Sequence, residues 1–568
     1  MISLAIIQQH DKRSGLTYFY DSHSYWDKEK KQSRAHRTLI GRLDPETGQM
    51  VPTDGRGRHR SPYTHQSETQ QVSQVQEQVQ SHPEQQYVQA QAETQAMPRA
   101  KTERKFFGAT YLLDQIAQET GVLDDLKHCF PKDYKKILSI AYYLILEDRN
   151  PLLRFKKWHR THRHPHEHDI PSQQSSKLFQ SITEDAKLQF FHLQGRRRSE
   201  KEYWAYDSTS ISSYSKRLKH VKHGKNKEND PLEQINLLLL YGTESGLPFY
   251  YRKLAGNIPD VKTLRSLIPE MRVLHYEMIK LLMDRGFYSI KNINAMCAED
   301  IKFLLSASTS RTYIKEFIQE LGTDIKNLSN YNEQYEVFAS SKIIFWDSSK
   351  KCPYKNISGT SGERMFLHLY YNPEKALEEE KQLLHQLSQL KTELITGKRQ
   401  SSHESAYKKF FVVHENANGD IRVEANEAAI AKAKERYGYF ALLSNEVSEP
   451  IKALELYRMR DVIEKAFENV KDRLNCRRTL VSSDESLEGK LFVEFIALIF
   501  LSYITKKMQE QELFSKYTLQ GLLDELDVIE CFIGPDSKPI TGEVLEKQEQ
   551  LYVNLGVTPL LATSHSYV

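Results

Sequence analysis

The sequence predicts an α/β protein of several domains, built on a mixed β-sheet flanked by helices. Three observations lead there. From Tyr203 onward, three strand-like runs follow one another as a meander. They then give way to alternating helix and strand, the pattern of a mixed sheet with helices on its faces. The chain has 568 residues, too many for one core, so other domains surround that sheet. A helical stretch from Ser448 to Leu474 carries a stripe of charged and phenolic side chains, a poor core face and a good wall for a site.

Residues 1–61 alternate short strand-like runs with turns, Thr17-Tyr18-Phe19-Tyr20 and Thr38-Leu39-Ile40-Gly41 among them. They indicate a small β-rich domain with a basic side. Residues 62–104 are rich in Gln, Glu, Ser and Thr and cannot bury enough surface to offset their ordering entropy, so they read as a linker. Across 105–200 apolar residues recur at helical spacing (Leu112, Leu113, Ile116; Ile137, Ile140, Ala141, Leu144). This predicts a helical region suited to binding DNA, with Ser175 to Ile182 or Glu184 to Leu193 as its recognition helix. His159, His162, His164, His166 and His168 are interleaved with Arg160, Arg163 and Pro165. Their spacing suits no zinc motif and predicts a basic surface loop, with adventitious metal binding as the alternative.

The first part of the core, 201–306, starts with strands at Tyr203 to Thr209, Gln234 to Tyr241 and Leu247 to Leu254. It continues with a helix from near Thr263, a short strand ending at Asp284, a helix at Ile290 to Ala298 and a strand at Lys302 to Ser306. Residues 307–436 read as a β-rich insertion with strands at Ile343 to Trp346, Met365 to Tyr371 and Tyr407 to Val413. It also holds a charged helix, Pro373 to Leu394, with Leu377, Leu384, Leu387 and Leu390 on one stripe. The core returns in 437–512 with a strand ending near Leu443, the charged helix, and a buried helix at Ser486 to Lys506. Residues 513–568 form a tail, with one short helix at Thr518 to Leu526 and loose strands and loops from Pro535.

The net charge of +4 is mild, but Lys216, Arg217, Lys219, Lys222, Lys225 and Lys227 follow one another without an acid, and Arg196, Arg197 and Arg198 precede them. Such clusters suit a polyanion, phosphate above all. Five scattered cysteines without a CxxC pair argue against a zinc ribbon or a disulfide framework and suit a reducing cytosol. The N-terminus lacks the basic start of a signal peptide. The longest apolar run, Leu491 to Ile504, contains Glu494 and is too short to span a bilayer. Gly55-Arg56-Gly57 lacks the third glycine of a dinucleotide fingerprint, and Walker A, HExxH and nucleophile-elbow patterns are absent.

The candidate chemistry rests on three acids. On the helix from Ser448, with Ser448 as N-cap and Pro450 in the first turn, Tyr457, Arg460, Glu464 and Lys471 fall within roughly 60° at about 100° per residue. Asp207 and Asp284 each sit in an otherwise apolar strand, where an acid is costly unless it is paired or bound to metal. Each also fits an ordinary strand-end or turn acid. On neighbouring strands both would point to one end of the sheet. With Glu464 they would be hard oxygen donors beside a phosphate-binding surface, a setting for two Mg²⁺ about 3.5–4 Å apart. Asp461 and Glu468 lie near the face of Glu464 and are its stand-ins.

These residues resemble a known family. Tyr457, Arg460, Glu464 and Lys471 match the Y-x₂-R-x₃-E-x₆-K signature of DDE transposases of bacterial insertion sequences, whose catalytic core is RNase H-like. Asp207 in Tyr-Asp-Ser-Thr and Asp284 in Met-Asp-Arg-Gly-Phe-Tyr are similar to that family's first and second acids. Leu254-Ala-Gly-Asn-Ile-Pro-Asp260 resembles the segment between them. The resemblance covers about residues 200–505. It implies that Asp207, Asp284 and Glu464 are catalytic and hold two Mg²⁺, with Mn²⁺ as a substitute. It implies that Tyr457, Arg460 and Lys471 contact DNA phosphates, with Arg285, Arg477 and Arg478 as further candidates. The implied partners are double-stranded DNA, as terminal inverted repeats and target, and further copies of the chain in a dimer or higher oligomer. The implied setting is the bacterial cytoplasm, at the nucleoid. The competing readings are a metal-dependent nuclease that cuts without joining and a catalytically inactive, transposase-derived DNA-binding protein.

Overall fold

A computed structural model of the chain describes residues 4–10, 17–27, 32–43, 50–52 and 103–561, less 148–149, 199–201, 216, 227–229, 277, 351–353, 355–361, 416–420, 475–478, 480, 482 and 535–538. The chain divides into two compact units, residues 1–97 and 98–568. In the first, β1 (Leu4–His10), β2 (Thr17–Asp27), β3 (Gln32–Leu43) and β4 (Met50–Pro52) form an antiparallel meander. The Gln-rich linker lies outside the described residues except at its end. There β5 (Glu103–Phe106) pairs with a strand near the other end of the chain.

Six helices follow: α1 (Gly108–Glu119), α2 (Val122–Cys129), α3 (Tyr134–Leu146), α4 (Phe155–Thr161), α5 (Ser172–Ser181) and α6 (Glu184–Arg196). The sheet is then built from β6 (Trp204–Ser212), β7 (Gln234–Gly242), β8 (Pro248–Ala255), α7 (Asp260–Val273), β9 (Lys280–Met283), α8 (Ile290–Ala298) and β10 (Lys302–Ala307). β6, β7 and β8 are an antiparallel meander, and β9 runs parallel to both β6 and β10. The spatial order β8-β7-β6-β9-β10 is the RNase H-like arrangement the resemblance implies.

Residues 307–436 do two things. After α9 (Thr312–Leu321), the strands β11 (Tyr331–Asn332), β12 (Val337–Trp346) and β13 (Glu363–Tyr371) lengthen the core sheet. Then α10 (Pro373–Ile395), α11 (Glu404–Phe410), β14 (Phe411–Glu415), β15 (Ile421–Ala425) and α12 (Glu427–Lys434) form a small body with its own core of Leu383, Leu387, Leu390, Leu394, Tyr407, Phe410, Phe411 and Ile430. Two expectations are corrected here. Leu387 and Leu390 are buried as expected, but Leu377 and Leu384 are more than half exposed, because the buried stripe of α10 continues through Leu383 and Leu394. Tyr407 to Phe410 are helical, and the strand starts only at Phe411.

β16 (Tyr439–Ser444) completes a nine-stranded sheet by pairing antiparallel with both β10 and β13. The charged helix after it is two helices, α13 (Pro450–Arg458) and α14 (Asp461–Glu468), followed by a π-helical turn, Asn469–Arg473. Hydrogen bonds tighten to i−3 spacing across the junction, from Met459 to Leu456, Arg460 to Tyr457 and Val462 to Met459. No Gly or Pro forces this break. The halves pack on different ground: Ala453, Leu454 and Leu456 on a satellite cluster with Leu282, Leu304 and Leu442, and Ile463, Ala466 and Phe467 in the main core. Glu449, not Ser448, holds the N-cap position, with no side-chain cap bond.

The chain ends with α15 (Asp484–Glu510), α16 (Leu519–Asp527), β17 (Glu530–Ile533), β18 (Ile540–Thr541) and α17 (Glu546–Asn554). α15 is buried on all faces from Leu491 to Ile504 and packs against α3 and α5. At Gly489 a Cβ would stand 2.1 Å from the Phe179 carbonyl oxygen, so this close helix crossing needs glycine. The tail is more ordered than expected: Tyr552 of α17 is buried and donates to the Gly108 carbonyl at 2.9 Å. The histidine segment is also corrected. His162 and His164 are buried rather than in a surface loop, because Trp158 stacks on His162 and Asp527 and Ser139 take their ring nitrogens.

Candidate active site

Strand register brings the acids together. β6 pairs with β9 up to Tyr206↔Met283, and β9 with β10 up to Met283↔Leu305. Asp207, Asp284 and Ser306 are the next residues along. They stand abreast where the parallel pairing of β6, β9 and β10 runs out, the edge where open α/β sheets bind ligands. Asp207 is 6% exposed; its Oδ1 accepts the Ser208 N–H at 2.7 Å and its Oδ2 lies 3.6 Å from Arg460 Nη1. Asp284 caps the 3₁₀ turn Arg285–Phe287 by accepting the Gly286 N–H at 2.7 Å. A Cβ on Gly286 would stand 3.0 Å from Asp284 Oδ1 and 3.6 Å from Asp260 Oδ2, so the bare glycine leaves both carboxylates their room.

α14 supplies the third acid. Glu464 accepts a bond from Arg460 Nη2 at 2.6 Å, and its side chain is 55% exposed. One guanidinium therefore bridges the first and third acids, and among the described residues its Nε is buried without a partner. Burial alone would lower the Arg460 pKa, but the fields of Tyr457, Glu464, Asp207 and Asp284 outweigh it and raise it. Burial raises the Tyr457 pKa, while Arg460 and a hydrogen bond with Ser306 oppose that rise. Both side chains stay protonated at neutral pH. So exposed an Arg–Glu pair adds little to stability; what it sets is the position of the charges.

A groove of about 940 Å³ opens at this edge. Ser208, Asp260, Asp284, Tyr457 and Arg460 line it, together with Lys375 of α10 and Arg436 and Tyr437 before β16. Arg285 lines it too, as does Lys225 from the basic stretch after β6. Lys471 sits in the π-helical turn and does not line the groove. Arg477 and Arg478 lie outside the described residues. Asp260, Lys375, Arg436 and Tyr437 are groove residues that sequence reasoning assigned no role. For Asp260 a signal existed, its place at the end of the segment resembling the family's.

A family profile described as "Transposase DDE domain" matches residues 198–500, more than half of the chain and all three acids. The chain belongs to the DDE transposase family. This DDE transposase is similar in structure to piggyBac transposase in a synaptic complex with hairpin DNA, with 11% identity and a TM-score of 0.31 over 73% of this chain and 70% of that one. No curated protein matches the transposase. Among its described residues, no three His, Cys, Asp or Glu side chains converge tightly enough to cage a metal ion, and no helix is long and apolar enough to cross a membrane.

Proposed function

We propose that this transposase cuts DNA at the ends of a mobile element and joins the freed 3′-hydroxyl to target DNA, with Asp207, Asp284 and Glu464 holding divalent cations, Mg²⁺ foremost. The observation that carries this reading is the strand register that sets Asp207 and Asp284 abreast, with Glu464 tied to the same guanidinium as Asp207. The donor set fits hard cations: three carboxylates, with no thiolate or imidazole among the described residues that line the groove. Arg460 balances their charge in this structure, so metal loading draws on release of its pair with Glu464. When bound, two such ions make a water or 3′-hydroxyl a better nucleophile and stabilise the leaving oxygen.

The chain's own residues do the rest. Arg460, freed from Glu464, keeps its charge and can pair bidentately with a phosphate. Tyr457, kept protonated, donates to a phosphate oxygen. Arg285, Lys225, Lys375 and Arg436, which line the groove, neutralise DNA phosphates along it. Lys471 adds a further phosphate contact beyond α14, and Arg477 and Arg478 are further candidates for DNA contact. The partners are double-stranded DNA, as terminal repeats and target, and further copies of the chain that bring two ends together. The setting is the cytoplasm, where DNA is at hand.

The test uses purified full-length protein, Mg²⁺ and a labelled duplex carrying the terminal repeats that flank the gene. Cleavage and joining to a plasmid by the wild type, both lost in Glu464→Gln, support the reading. Cleavage without joining replaces it with a metal-dependent nuclease. Binding without chemistry in Mg²⁺ or Mn²⁺ replaces it with a DNA-binding protein.

A further inference from the structure

We propose that Asp260 is a positioning residue for Asp207 and acts through Ser208. The proposal rests on the metal-holding role given to Asp207 above. Along a strand, Tyr206 and Ser208 point to the face opposite Asp207. The first turn of α7 grips both of them. Asp260, its first residue, accepts a hydrogen bond from the Ser208 hydroxyl. The Thr263 hydroxyl donates to the Asp260 carbonyl at 2.7 Å, so it accepts from the Tyr206 hydroxyl, also at 2.7 Å. Ser208 faces both ways: its side chain is held by Asp260, and its N–H donates to Asp207 Oδ1 at 2.7 Å.

The helix dipole alone accounts for an acid at the first position of α7. It does not account for a bond from that acid across to the strand residue that hydrogen-bonds Asp207. Asp260 lines the groove beside Asp284, and its hydrogen-bonded route to Asp207 runs through Ser208. The strand end is buried, with Tyr206, Ser208 and Thr263 each no more than 3% exposed. Water is therefore poorly placed to replace a lost link.

The test compares full-length wild type, Asp260→Asn, Asp260→Ala, Ser208→Ala and the double variant Asp260→Ala/Ser208→Ala on the labelled end duplex in Mg²⁺. Asparagine keeps an oxygen for the Ser208 hydroxyl, and alanine does not. Asp260→Ala and Ser208→Ala should each lower kcat about 10- to 100-fold with KM for the duplex within about twofold, as expected for a small misplacement of a reacting group. The double variant should be no worse than Asp260→Ala, and Asp260→Asn should stay within about threefold of wild type. Three results overturn the proposal: Asp260→Asn as damaged as Asp260→Ala, which assigns Asp260 a direct charge role; additive losses in the double variant; or a raised KM. A second readout needs no turnover. The Mn²⁺ concentration giving half the cation-induced rise in Tm should move up equally in Asp260→Ala and Ser208→Ala and stay put in Asp260→Asn. If the wild type cuts no end duplex, the proposed function fails, while this titration still decides the positioning role: unmoved midpoints overturn it.

Discussion

Two places in this transposase gather ionisable side chains densely, and they are built to opposite ends. At the sheet edge, Asp284 and Arg460 line an open groove, Arg460 links Asp207 and Glu464, and the cation keeps its charge. At the corner between α4 and α16, His162 and His164 are buried. His162 stacks on Trp158 at 4.9 Å and bonds Asp527 at 2.9 Å. His164 bonds Ser139 at 2.9 Å, and burial pushes its pKa down to about 3. Clustering alone does not mark chemistry. What separates the two is whether the groups hold charge where a ligand can reach it.

Exchanging damage between the two places breaks or sharpens the comparison. The largest effect belongs to the sheet edge. Asp207→Ala, Asp284→Ala and Glu464→Gln should each remove several kcal/mol of barrier lowering, about 10³-fold or more in end cleavage. DNA binding by gel shift should remain. A residual rate above a tenth of wild type in any of the three would place the chemistry elsewhere. At the corner the order is reversed. Trp158→Ala should cost about 3–5 kcal/mol in urea unfolding, with cleavage per folded molecule unchanged.

The next effect is in acid. The folded His164 pKa lies below its ordinary 6.5, so between about 3 and 6.5 the unfolded chain binds more protons. Stability from neutral His164 is complete above pH 6.5 and is lost as pH falls through that window. From pH 7 to pH 5 the loss is about 2 kcal/mol. His164→Asn should flatten the fall in urea midpoint, and an unchanged slope would mean that His164 is not the titrating group. The smallest effect is Lys471→Ala, which should reduce the salt slope of DNA binding by about 1 if the side chain meets one phosphate. Filter binding at several salt concentrations measures it.

The legible parts were those written in local pattern. Asp207 and Asp284 stand out because an acid in an apolar strand needs a partner, and the meander before them anticipates β6 to β8. The spacing of Arg460 and Glu464 holds because both lie near the start of α14, within one turn. The break at Met459 leaves no mark, since no Gly or Pro makes it; it arises because the two halves pack on separate clusters. The α10 stripe holds at Leu387 and Leu390 but fails at Leu384, because Leu383 and Leu384 are adjacent and only the body formed with Tyr407 and Phe410 selects Leu383. The histidines read as exposed because Arg160, Arg163 and Pro165 interleave them, while the partner that buries His162, Asp527, lies at the far end of the chain. The link between Asp260 and Ser208 joins residues from separate elements and shows no pattern in either.

The place of β16 in the sheet has a consequence for how the protein is made. β16 sits between β10 and β13 although it is translated after both. A chain emerging from the ribosome carries Asp207 and Asp284 early. It cannot knit the two halves of its sheet until residue 444 has left the exit tunnel, and Glu464 follows later still. α15, which packs against α3 and α5, comes after that. Until then β10 and β13 present open edges, a hazard for clumping that helpers of folding would have to shield. By the same delay, a chain stopped before residue 464 lacks Glu464, the third acid of the proposed site.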